Sequence, residues 1–165
     1  MCATLIGCTT ASEPSQQPPE NRPIQKVTLD ENDTEYGYYL TVTPPDTVRG
    51  ILLLLAGSGQ APEDVFADTE FDEMAAEYEM QVVAFAPRNR LTADSLLVVR
   101  MNTVLEDVLA NSGVAPDRVV LGGFSAGGNA ALRYTERCYE SPEAFPVQPV
   151  GVFMVDAPID LFQIW

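Results

Sequence analysis

"DRVVLGGFSAGGNAALRYTERCYE", Asp117 to Glu140, joins a short apolar run to a segment of helix-forming composition through a cluster of small residues around Ser125. The apolar run reads as a strand and the segment after it as a helix, with a sharp turn between them. That context gives meaning to the G-x-S-x-G frame of Gly123, Ser125 and Gly127. The glycines stand where side chains would crowd the turn, and Ser125 must take a strained backbone conformation that lifts its hydroxyl outward. The backbone N–H of Ala126, opening the helix, lies where an oxyanion would form. The competing interpretation is a Gly-rich strand-to-helix turn with an ordinary capping serine. The strand before and the helix after favour a nucleophile. One element is missing: the 165 residues include no histidine to serve as its base.

The composition, 46% hydrophobic and 20% charged, suits one globular domain with a real core. Acidic residues outnumber basic ones 24 to 9, for a net charge of -15. Such a surface argues against nucleic acid as a partner and against electrostatic attraction to anionic lipid. Lys26 is the only lysine, a bias shared by salt-adapted, extracellular and ordinary acidic proteins. Cys2, Cys8 and Cys138 lack C-x-x-C spacing, and without histidine a zinc site is hard to assemble. No metal or cofactor is expected. Cys138 falls late in the predicted helix, where a cysteine acts as a small buried hydrophobe. No apolar stretch is long enough to span a bilayer.

The first 24 residues differ from the rest. "MCATLIGC" is apolar and small, and "TTASEPSQQPPENRP" is a polar, Pro-rich tether. Leu5, Ile6, Gly7 and Cys8 resemble the lipobox of bacterial lipoproteins, in which the cysteine is lipidated and becomes the first residue of the mature chain. No Lys or Arg precedes it and the apolar part is short, so it reads as a clipped signal. The resemblance implies a lipid anchor at Cys8 and a place in the bacterial cell envelope or outside it. Residues 25–165 then form the domain, without internal repeat or linker.

Within that domain, residues 24–32 and 35–45 read as two strands joined by a polar turn, "DENDTE". The Asn32-Asp33-Thr34 sequon is taken as part of that turn. Ile51 to Leu55 is an unalternated apolar strand, as found inside parallel sheets covered on both faces. Residues 61–80 read as a single helix with Phe71, Met74, Ala75 and Tyr78 on one face. "QVVAFAP", residues 81–87, is another buried strand. The clearest helix runs through residues 91–113, capped by Thr92 or Asp94, ended by Gly113, and striped by Leu97, Met101, Val104, Leu105 and Val108. A last buried strand lies in "QPVGVFMVDAP", residues 148–158. Two strands followed by alternating strands and helices imply a three-layer α/β/α sandwich on a mostly parallel sheet.

Over nearly its whole length after the tether, the chain resembles the α/β-hydrolase fold, most closely its bacterial esterases. The resemblance rests on "LLLLAGSGQ", the "PDRVVLGGFSAGGNAAL" elbow and "GVFMVDAPIDL". It implies an ester-cleaving serine hydrolase acting through a Ser125 acyl-enzyme on a small-molecule substrate, with no cofactor. It also implies a second oxyanion donor after the third strand, at Ser58 with Gly59 as the alternative. In that family the triad acid usually follows the seventh of eight strands and the histidine the eighth. Here the sixth strand lies close to Trp165, so the sheet is expected to stop after about six strands, with the base beyond Trp165. Asp156 is a candidate acid, since some relatives place it after strand six. The alternative makes "DAPIDL" a turn and helix start, with Asp160 on the surface. "GSGQAP" also begins like a dinucleotide fingerprint, but Pro62 replaces the third glycine and "PRNR" the later acid. A second functional class stays open: a histidine-free surface lipoprotein with a disabled hydrolase fold, binding a partner or ligand.

Overall fold

The computed structural model describes residues 23–87 and 94–157. Cys2, Cys8, the tether up to residue 22, Thr92 and Asp160 lie outside the described residues. The six strands are β1 (Gln25–Thr28), β2 (Tyr38–Val42), β3 (Gly50–Leu55), β4 (Met80–Phe85), β5 (Val119–Phe124) and β6 (Gly151–Val155). They form one sheet in the order β1-β2-β4-β3-β5-β6. The β1–β2 and β2–β4 pairings are antiparallel, while β4, β3, β5 and β6 run parallel. Parallel neighbours put all their carboxyl ends on one edge of the sheet, which is where open α/β sheets carry their sites.

The strands at the centre are buried on both faces because helices cover both. On one face Leu53, Leu55, Val83 and Phe85 pack against α3 (Ser95–Ser112) and α4 (Ala126–Glu140). On the other, Leu54, Val82 and Ala84 meet α1 (Pro62–Ala67) and α2 (Phe71–Glu77). This is the expected three-layer sandwich. All five residues of the predicted α3 stripe are buried. The Asp94 side chain accepts the Leu97 N–H at 2.9 Å, and Gly113 closes the helix in the left-handed conformation. The polar turn between β1 and β2 is tied to α3: Arg100 Nη2 donates to Asp33 Oδ2 at 2.9 Å and to the Tyr36 carbonyl at 2.7 Å.

One expectation fails. Residues 61–80 form two short helices rather than one. The Thr69 hydroxyl donates to the Val65 carbonyl at 2.6 Å, the acceptor that a continuous helix would give to the Thr69 N–H. The chain turns there and restarts at Phe71. Of the predicted stripe only Ala75 is buried; Met74 and Tyr78 are exposed, and Tyr78 is already past the end of α2.

Among the described residues β6 pairs only with β5, and it is bordered by Val150 and Val155, 64% and 45% exposed. An apolar edge strand is a template for intermolecular pairing. The 165-residue chain expressed alone is therefore expected to aggregate or stay partly unfolded despite its charge. Size-exclusion chromatography with thermal unfolding checks this: a monomer with a sharp cooperative transition would contradict it.

Candidate active site

Ser125 sits between the end of β5 and the start of α4 with φ 49° and ψ -120°, and its side chain is exposed. A non-glycine residue is rarely held in this region, and the surroundings enforce it here. The Ser125 N–H donates to the Val155 carbonyl of β6 at 2.8 Å, and its own carbonyl accepts from Gly128 and Asn129 at 3.1 and 3.4 Å. Backbone crowding explains the glycines. A Cβ on Gly127 would overlap the carbonyl oxygens of Leu55 and Ala56, and one on Gly123 would overlap the backbone of Gly127. The turn therefore forms only with small residues on both sides of the serine, as the sequence spacing indicates.

The first turn of α4 leaves its leading N–H groups without intrahelical acceptors, and the helix dipole adds a partial positive charge there. Ala126 occupies the first position of that turn, next to Ser125. The predicted second donor lies on the loop after β3. That loop is brought to the elbow by the parallel pairing of Leu55 with Gly123 and by the contact of Gly127 with the Leu55 and Ala56 carbonyls. Ser58 and Gly59 are both exposed there, and Gly59 has φ 76°. Pro62, which stands where a dinucleotide motif needs glycine, instead opens α1.

Asp156 follows Val155 directly, is exposed, and has φ 52°. Of three non-glycine residues with positive φ among the described residues, two are Ser125 and Asp156, separated by the single Ser125–Val155 hydrogen bond. The structure thus brings Ser125, Ala126, the Ser58–Gly59 loop and Asp156 to one edge of the sheet. The strain at Asp156 has no signal in the sequence. Cys138 is fully buried on α4, and burial pushes its thiol up to about 12, so it is a neutral packing residue, as its position in the sequence indicates. Among the described residues no three His, Cys, Asp or Glu side chains converge as a metal site.

No protein-family profile matches the sequence, and no curated protein matches it. Solved structures do. A thermostable carboxylesterase from a metagenomic library superposes with a TM-score of 0.65 at 18% identity, over 87% of this chain and 49% of that one. A bacterial heroin esterase gives 0.63 at 22% identity, over 84% and 45%. A fluorophosphonate-binding serine hydrolase of Staphylococcus aureus gives 0.53 at 17% identity, over 65% and 49%. The chain has the α/β-hydrolase fold, and it spans about half the length of these structures.

Proposed function

We propose that Ser125 is the nucleophile of a serine esterase that cleaves small-molecule esters through an acyl-enzyme. The observation that carries this reading is the strained, exposed Ser125 at the N-terminus of α4, at φ 49° and ψ -120°. Attack of the hydroxyl on an ester carbonyl would place the tetrahedral oxyanion between the Ala126 N–H and an N–H of Ser58 or Gly59. Two such donors are each worth about 3 kcal/mol in the transition state. The leaving alcohol departs, and water repeats the attack on the acyl-serine. With no histidine in these residues, the base would come from polypeptide outside them, and Asp156, exposed at the end of β6, is our candidate for the acid that would orient it. Treating the full-length protein with a fluorophosphonate probe and mapping the labelled peptide tests this. Label on the peptide that carries Ser125 is expected, whereas no label, or label elsewhere, removes the assignment.

The absence of histidine also favours a second reading, a binding protein built on the same fold. In-frame coding sequence beyond Trp165, with an acid and a later histidine, selects the enzyme; a genuine stop codon there selects the binding protein or a decaying gene. Either version fits a lipid anchor at Cys8, with residues 9–24 as a tether to a bacterial membrane. Cells grown with a radioactive fatty acid are expected to label the wild-type protein and not the Cys8→Ala variant. Equal labelling of both, or of neither, removes the anchor.

A further inference from the structure

Gly57 donates its N–H to the Gln60 side-chain oxygen Oε1 at 2.9 Å. Gln60 in turn donates its backbone N–H to the Gly57 carbonyl at 3.2 Å. The two bonds close a ring around a four-residue turn. Gly59 is its third residue, at φ 76°, the left-handed geometry that type II turns reserve for glycine. Gln60 Nε2 approaches the Asp68 carboxylate at 3.5 Å, linking the ring to the far end of α1. On the flanks, Ala56 donates to the Phe85 carbonyl at 2.9 Å and Ala61 to Asp64 Oδ2 at 2.7 Å. The turn is thus held at both ends, and it carries Ser58 and Gly59, the two residues proposed above as oxyanion donors.

Gly57 is shaped to this arrangement. A Cβ there would lie 2.5 Å from Gln60 Oε1 and 3.4 Å from the carbonyl oxygen of Phe124, the residue before the nucleophile. The Gln60 carboxamide therefore rests on bare backbone at the join between loop and elbow. We propose that Gln60 is the positioning residue of the oxyanion loop: by accepting the Gly57 N–H, its side-chain oxygen fixes the Ser58 and Gly59 amides relative to Ser125. Gln60 does not touch substrate; it acts through those two residues. The inference rests on Ser125 being an acyl-transfer nucleophile.

The test compares p-nitrophenyl acetate turnover by the full-length protein with that of its Gln60→Met, Gln60→Glu and Ser125→Ala variants. Methionine keeps the length of the side chain and removes the acceptor, while glutamate keeps an oxygen at the same place. Gln60→Met is expected to lower kcat roughly 10- to 100-fold with little change in KM, because misplacing a donor by about 1 Å has that effect. Gln60→Glu is expected to recover most of the loss when combined with Asp68→Asn, which removes the carboxylate that the Gln60 amide faces at 3.5 Å. Unchanged kcat in Gln60→Met, or an equal loss in Gln60→Glu combined with Asp68→Asn, overturns the positioning role. If circular dichroism shows Gln60→Met unfolded, Gln60→Ala is read in its place; if both are unfolded, Gln60 is a structural clamp and the proposal falls. Turnover that survives Ser125→Ala overturns the hydrolase reading itself, whatever the Gln60 variants do.

Discussion

In the full-length protein Ser125→Ala is expected to abolish fluorophosphonate labelling and to lower kcat for p-nitrophenyl acetate by about 10⁴-fold or more. Oxyanion donors and binding alone leave only residual activity once the nucleophile is gone. The φ of 49° at Ser125 makes a companion variant informative. Ser125→Gly should be as inactive as Ser125→Ala, yet unfold at higher denaturant concentration, because glycine adopts this backbone region at little cost. The gain is on the order of 1 kcal/mol, the released strain being partly offset by the entropy of an added glycine. Loss of activity together with a gain in stability marks a residue held in place for chemistry. If Ser125→Ala keeps its turnover, or Ser125→Gly is clearly less stable than wild type, the elbow is an ordinary turn. The 165-residue chain, which has no histidine, is expected to hydrolyse the same ester negligibly, since an unassisted serine hydroxyl is a poor nucleophile near neutral pH.

The second large effect is structural. Gly127→Ala puts a methyl group into the carbonyl oxygens of Leu55 and Ala56. These are backbone atoms at the end of a central strand, so nothing flexible can give way. The variant is expected to lose about 3 kcal/mol of stability, at the upper end of overpacking costs, and its elbow geometry with it. Gly151 provides the contrast within the same sheet. A Cβ there meets nothing closer than Val120 Cγ1 at 3.9 Å, so Gly151→Ala should change stability by no more than about 0.5 kcal/mol. Urea unfolding of both variants measures the difference. Equal midpoints would mean that α4 can move away from β3, and the tight elbow would not be a requirement of the fold.

Much of this architecture is legible in the sequence because its signals are local. The Leu97, Met101, Val104, Leu105 and Val108 stripe can bury itself on one face only as a helix, and Asp94 and Gly113 are chemically suited to its two ends. Gly123 and Gly127 report the elbow because each removes a side chain from a place where backbone passes. The break between α1 and α2 is hidden, since it turns on where one threonine hydroxyl finds its acceptor, and Thr69 suits a helix or a turn equally well. The order β1-β2-β4-β3-β5-β6 is hidden for another reason. It depends on which apolar strands meet across long separations, and Leu53, Val83 and Leu121 carry no label for their neighbours. At the site itself, Ser58 and Gly59 can be placed after the third strand from the sequence, but the Gln60 clamp and the strained Asp156 appear only with the backbone in place.

The bond from the Ser125 N–H to the Val155 carbonyl ties the nucleophile to the outermost described strand rather than to the interior. Edge elements open by sub-global fluctuations that cost far less than complete unfolding. Among the described residues the Ser125 conformation therefore shares the resistance of that border strand, not that of the central layers around Leu53 and Leu121. A strand that paired with the outer side of β6 would raise the cost of that opening, and the serine turn would gain the rigidity without being touched.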